Sequence, residues 1–200
     1  MRERPILFSG PMVRALLAGT KTQTRRIAKP VKHPDLGNLY DAGALVLERE
    51  PQHVIERACP YGRPFDRLWV REAFADVGCR LTYRADTNDG AHCMVKRWTS
   101  SIHMPRSACR LVLDITSVHV ERLQDINEAD AIAEGVGLNP PAEGVRVTTP
   151  ECETLPRVMF RALWDQINGA GAWDANPWVW VVKFRVLAQP MNQPGGAHHA

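Results

Sequence analysis

Residues 110–122 restrict the fold more than any other part of this chain. Leu111, Leu113 and Ile115 alternate on one parity, whereas Val118 and Val120 fall on the other. A two-residue period belongs to a strand, and a bulge near Thr116-Ser117 reconciles the two halves. A second long run, 178–187, alternates Trp178, Trp180, Val182, Phe184 and Val186 with Val179, Val181, Lys183 and Arg185. Shorter strands are expected at 5–9, 20–27 and 67–74. Residues 79–85 and 92–98 read as two strands joined by a polar turn at 86–90. Residues 44–49 and 53–58 read as a hairpin around Pro51-Gln52.

Helices are fewer. Pro11 suits a first helical turn, and Gly19 stops the helix it opens. Asn127 caps a short helix, with Asp130 three residues on, and Gly135 or Gly137 ends it near Glu134. Residues 137–150 form a Pro/Gly loop. Residues 151–167 carry an amphipathic pattern with Leu155, Val158, Met159, Ala162, Leu163 and Ile167 inward. No βαβ repeat appears, which argues against a doubly wound sheet. The expectation is an α+β domain, a small and mostly antiparallel β-barrel flanked by two to three helices. It spans 1–188, with insertions near 29–60 and 137–155 and a disordered tail at 189–200.

A chain of 200 residues, 44% hydrophobic and with six tryptophans, can bury a real core. Its five cysteines, Cys59, Cys79, Cys93, Cys109 and Cys152, are odd in number and widely spaced, with no C-x-x-C pair. That pattern fits reduced thiols in a cytoplasmic protein and no zinc site. No signal peptide or membrane-spanning run is seen. No cofactor fingerprint is present either, whether phosphate loop, dinucleotide motif or serine elbow. Over residues 1–32, eight basic side chains face one acid, Glu3. Such a segment fits an anionic partner such as a nucleotide or nucleic acid, or is simply a solvated face.

The stretch from Leu17 to Arg26 holds the densest chemistry. Lys21 precedes Thr24 by three positions, just after Gly19, and Arg25 and Arg26 follow. A threonine hydroxyl needs a base to become a nucleophile. A lysine can be that base when burial or nearby cations lower its pKa. In a regular strand, positions 21 and 24 point to opposite faces, so the pair can meet only if Lys21 lies in the turn before the strand. Glu134, at the negative end of a helix dipole, suits a proton donor. Further ligand-binding candidates are Arg71 and Glu72 beside the apolar 68–70 run, His103 and Arg106 in the 100–106 loop, and Asn176 and Trp178 before the last strand. A tryptophan there could stack a base or cap the core.

Together these segments resemble the ASCH family, a β-barrel similar to the PUA RNA-binding domain. The resemblance rests on Arg4-Pro5-Ile6-Leu7-Phe8, the 17–26 stretch, Asp66-Arg67-Leu68-Trp69-Val70-Arg71-Glu72 and Tyr83-Arg84-Ala85-Asp86. It continues through Ser101-Ile102-His103-Met104-Pro105-Arg106, Leu123-Gln124-Asp125-Ile126 and 173–184. In particular it looks like the larger ASCH proteins encoded by phages and prophages. A smaller bacterial relative is an amidohydrolase that removes the acetyl group from N4-acetylcytidine. The resemblance implies that its lysine and threonine correspond to Lys21 and Thr24, its glutamate by helix position to Glu134, and a further arginine to Arg26. Phe65 stands where the family usually has glycine. The implied activity is metal-independent removal of an acyl group from N4-acylated cytosine nucleosides or nucleotides. The alternatives are an RNA- or DNA-binding module, in which Arg25, Arg26, Arg71, Arg84 and Arg106 grip phosphates, or a ribonuclease without metal. Oligomeric state is not implied.

Overall fold

The computed structural model describes residues 1–136 and 154–187. The expected 137–150 loop, the start of the amphipathic segment at 151–153, Cys152 and the 189–200 tail lie outside them. In chain order the elements begin with β1 (Glu3–Leu7), α1 (Gly10–Leu17), β2 (Gln23–Ile27), β3 (Val31–Lys32) and β4 (Leu39–Tyr40). Next come α2 (Ala42–Leu47), α3 (Gln52–Ala58), β5 (Arg67–Arg71), β6 (Phe74–Asp76) and β7 (Leu81–Tyr83). The chain continues with β8 (Val112–Arg122), α4 (Glu128–Ala133), α5 (Leu155–Asn168) and β9 (Trp178–Leu187).

This is an α+β fold around a mixed five-stranded sheet ordered β1-β5-β8-β9-β2. Its only parallel pair among the described residues is β1 with β5; β5–β8, β8–β9 and β9–β2 are antiparallel. β1 and β2 are the two ends of the sheet, and no ladder joins them among the described residues. The described sheet is therefore open and does not show the expected closed barrel.

The parity switch in β8 is real. Ile115 pairs with Phe184 and Ser117 with the next residue, Lys183, so Thr116 is the extra residue of a bulge. The bulge lets Leu113, Ile115, Val118 and Val120 all enter the main core, with Leu68, Val70, Trp180, Val182 and Phe184. On the other face of β9, Val179 and Val181 enter a second core with Leu123, Ile126, Phe160, Trp164 and Trp173. β9 is thus covered on both sides, which is why its sequence reads as a near-continuous apolar run.

Several expectations change. The 44–58 segment is not a hairpin but two short helices, α2 and α3. Asp41 caps α2 by accepting from the Gly43 N–H at 3.0 Å, and Ala42 with Leu45 buries a helical rather than an alternating face. The strand predicted at 67–74 breaks after Arg71, and Phe74–Asp76 pairs instead with Leu81–Tyr83. The strand expected at 92–98 does not form at its start: His92–Met94 belong to a turn of 3₁₀ helix, Gly90–Met94. α5 buries Pro156, Val158, Phe160 and Trp164, whereas Leu155, Ala162 and Ile167 are exposed. Its inward stripe is rotated relative to the predicted one, because the aromatic side chains take the second core.

Candidate active site at the free edge of β2

The end of α1 places Lys21. Gly19 adopts a left-handed φ of 73°, and the N–H groups of Thr20 and Lys21 both donate to the Ala15 carbonyl, at 3.0 and 3.1 Å. The Thr22 N–H donates to the Ala133 carbonyl at the end of α4, at 2.8 Å. Lys21 therefore precedes β2, where it forms an isolated bridge with Glu134. Lys21 thus lies outside the regular strand, with both Nζ hydrogen bonds going to Glu134 and none to Thr24.

Gly135 makes the approach possible. It has φ 82°, and a Cβ there would lie 2.8 Å from the Ala15 Cβ and 2.9 Å from the Lys21 Cβ. Only a residue without a side chain fits between α1 and the Lys21 turn.

The Lys21 side chain is fully buried. Its Nζ donates to the Glu134 carbonyl at 2.7 Å and to Glu134 Oε2 at 2.9 Å. Burial pushes the lysine pKa down and outweighs the upward pull of Glu134; Arg26 and Arg25 push the same way as burial. Glu134 is buried too, and its other oxygen accepts from Arg25 Nη1 at 3.2 Å. Arg25 also donates to Glu121 Oε1 from Nε (2.9 Å) and Nη2 (2.7 Å), and to Asp130 Oδ2 at 3.2 Å. Three carboxylates from β8 and the α4 segment thus hold one buried guanidinium. A charge so placed needs such partners to be tolerated away from water.

Thr24 lies in β2 opposite Val182. It is buried, and its hydroxyl makes no hydrogen bond among the described residues. With Arg26, Lys29, Tyr61 and Glu134 it lines a cavity of about 260 Å³, closed on one side by Phe160, Leu163 and Trp164 of α5 and on another by Met12 of α1. That volume is below the roughly 300 Å³ at which ligand sites usually start. One Arg26 Nη donates to the Leu7 carbonyl at 2.7 Å, and the guanidinium sits over Phe8, 5.3 Å from the ring centroid. Burial pushes the Tyr61 hydroxyl pKa up, against the opposing effect of Arg26.

Lys21, Thr24, Arg26 and Glu134 therefore come together, although Lys21 itself does not line the cavity. The other candidates lie elsewhere. Glu72 is buried and paired with Arg110, which also holds Asp86. Arg71 donates to the Ile102 carbonyl and lies over Trp69, and His103 is exposed on a short 3₁₀ turn. Asn176, at φ 42°, accepts from the Gln124 N–H at 2.9 Å. Trp178 lies against Gly43, where an added Cβ would come within 2.2 Å of its ring nitrogen, and the Arg122 guanidinium is 4.4 Å from its ring. None of these five lines the β2 cavity. Sequence reasoning missed Tyr61 and the α5 wall, which only tertiary packing brings to β2.

Among the described residues no three His, Cys, Asp or Glu side chains cluster as metal ligands, and no helix is long and apolar enough to cross a membrane. Compared with protein-family models, curated proteins and solved structures, the chain matches none.

Proposed function

We propose that this chain is an amidohydrolase that removes the acyl group from N4-acylated cytosine nucleosides or nucleotides, on an ASCH-like relative of the PUA barrel. The observation that carries this reading is the Lys21–Glu134 contact of 2.9 Å, set beside an unpartnered Thr24 hydroxyl that shares a small cavity with Glu134 and Arg26.

In the proposed reaction, Lys21 gives a proton to Glu134, and the neutral amine accepts the Thr24 proton. Both Nζ hydrogen bonds end on Glu134 in the resting site, so Nζ must release one of them to reach Thr24. Burial already favours the neutral amine. The Thr24 oxygen attacks the acyl carbon, and Arg26 stabilises the oxyanion. Glu134 protonates the departing exocyclic amine and then takes a proton from the water that hydrolyses the threonyl ester, while Lys21 returns its proton to the departing Thr24 oxygen and recovers one from Glu134. The products are the carboxylic acid and the cytosine nucleoside or nucleotide with its exocyclic amine free. In a second route Thr24 only orients the water, which is favoured by the missing Lys21–Thr24 hydrogen bond.

The test is turnover of N4-acetylcytidine by wild type and by Lys21→Ala, Thr24→Ala and Glu134→Ala. Loss of turnover in all three is expected, and turnover that survives all three removes the assignment. Rapid-quench mass spectrometry separates the routes, because only the first adds an acyl group to Thr24.

A phosphate grip by Arg25, Arg71 and Arg106 has less support. Arg25 is consumed by carboxylates, Arg106 pairs with Glu3 at 3.1 Å, and Arg71 is engaged by the Ile102 carbonyl.

A further inference from the structure

The turn at 59–62 separates the β2 cavity from a second concavity. Tyr61 lines the first, while Cys59 and Gly62 line the second, of about 300 Å³. The turn is tight, with the Gly62 N–H donating to the Cys59 carbonyl at 3.3 Å. Arg4 pins it through Nη1, which donates to the Pro60 carbonyl at 2.5 Å and the Cys59 carbonyl at 3.3 Å.

Four arginines, Arg2, Arg4, Arg57 and Arg63, line the second concavity against Glu56 and Asp66. The Asp66 carboxylate already accepts the backbone N–H groups of Arg2 (2.7 Å) and Arg63 (3.4 Å). Arg57 is paired with Asp35 at 2.8 Å. The guanidinium groups of Arg2 and Arg63 are exposed and make no hydrogen bond or ion pair among the described residues, although the Arg63 charge acts on Asp66. A third concavity adjoins, sharing Arg63, Glu56 and Asp66 and adding Phe65.

Phe65 is the anomaly of this face. Its backbone sits at φ 72°, where a bulky residue is strained, yet its side chain is 80% exposed. Packing therefore does not reward the strain, and strain of this kind gathers at functional positions. An exposed aromatic ring beside exposed arginines is the arrangement on which single-stranded nucleic acids stack their bases.

Resting on the amidohydrolase reading, we propose that the substrate is a single-stranded polynucleotide rather than a free nucleoside. Its modified base enters the β2 cavity past Tyr61. Its backbone crosses Arg2 and Arg63, and a neighbouring base stacks on Phe65. The small cavity holds one base, so the rest of the strand has to lie outside it, and this face offers both charge and a stacking surface.

The test compares a labelled single-stranded RNA carrying one N4-acetylcytosine with free N4-acetylcytidine. The proteins are wild type, Phe65→Gly and Arg2→Gln/Arg63→Gln. Fluorescence anisotropy is expected to show oligonucleotide affinity falling about 5- to 150-fold in Phe65→Gly. The slope of log affinity against log salt is expected to shrink by roughly 1.4 in the double variant, as two phosphate contacts on a single strand are lost. KM for the oligonucleotide rises in both, while KM for the nucleoside stays put. Unchanged oligonucleotide affinity in both variants overturns the proposal. If wild type does not hydrolyse the nucleoside or the oligonucleotide, the amidohydrolase reading fails, and the affinity arm still decides whether this face binds single strands.

Discussion

Lys21 Nζ contacts both the main-chain and the side-chain oxygen of Glu134, a residue 113 positions further along the chain. The two partners are not equivalent. Glu134 keeps Arg25 if Lys21 is removed, but loss of the glutamate leaves two buried cations with one carboxylate fewer. Glu134→Gln is therefore expected to cost about 3–5 kcal/mol, the range for breaking a buried ion pair. Lys21→Met is expected to cost less, about 1.5–3 kcal/mol, because what it mainly removes is a charge-assisted hydrogen bond. Urea unfolding of both variants checks the order, and an inverted order would show that Arg25 is not the second partner.

The same lysine links stability to pH. Its folded pKa lies below the ordinary 10.5, with burial as the main cause. Between the lowered value and 10.5 the unfolded chain binds a proton that the folded chain does not, so stability from this group rises with pH across that window. The destabilisation measured for Lys21→Met should accordingly grow as pH is raised toward 10.5. Turnover that uses the neutral amine should rise over the same interval, and a flat profile in both measurements would remove Lys21 as the base.

Gly135 sets the spacing of the site. An alanine there meets the Ala15 Cβ at 2.8 Å and the Lys21 Cβ at 2.9 Å, at φ 82°. The left-handed backbone alone costs about 1–2 kcal/mol for a residue with a Cβ, and the two contacts add to it. Gly135→Ala should lower stability by about 2–4 kcal/mol and turnover at least about tenfold, since a reacting group displaced by an ångström loses much of its effect. Circular dichroism melts and N4-acetylcytidine assays on one preparation read both.

The legible parts of the molecule were those written in local pattern. The β8 parity switch located its bulge because alternation is a property of neighbours. The strand expected at 20–27 begins only at Gln23, because the Ala15 carbonyl holds the N–H groups of Thr20 and Lys21 at the end of α1. The 44–58 segment misled because runs such as Ala44-Leu45-Val46-Leu47 are too short and apolar for periodicity to choose between strand and helix. The Asp41 cap was the available signal. Arg25 read as a surface cation because its partners, Glu121, Asp130 and Glu134, lie 96 to 109 residues away. Phe160 and Trp164 were absent from the predicted inward stripe for a related reason: the second core they join is built by β9 and Trp173.

Glu72 is a buried carboxylate whose pKa burial raises against the opposing pull of Arg110. Arg110 donates to it at 2.8 and 3.0 Å and holds Asp86 as well. Arg110→Met strands the carboxylate and should cost about 3–5 kcal/mol near pH 8. A raised folded pKa means that the folded chain binds more protons than the unfolded chain above 4.5, so the stability from this group is lost as pH rises through the folded value. The variant lacks the opposing arginine, so its deficit should shrink as pH falls toward 4.5. Guanidinium unfolding at pH 8 and pH 5 tests this, and an equal deficit at both would mean that Glu72 stays ionised without its partner.

Phe65 offers a stability change opposite in sign to most substitutions. Its φ of 72° suits glycine, and its ring is 80% exposed, so truncation removes little buried area. Relief of the left-handed strain gives about 1–2 kcal/mol. The greater freedom of glycine in the unfolded chain takes back about 0.5–1 kcal/mol. Phe65→Gly is thus expected to be about 0.5–1 kcal/mol more stable than wild type, whereas Phe65→Ala, which keeps a Cβ and therefore the strain, should change stability little. Thermal melts of the three proteins decide it: a glycine variant that melts below the alanine variant would mean that the backbone at 65 is not strained.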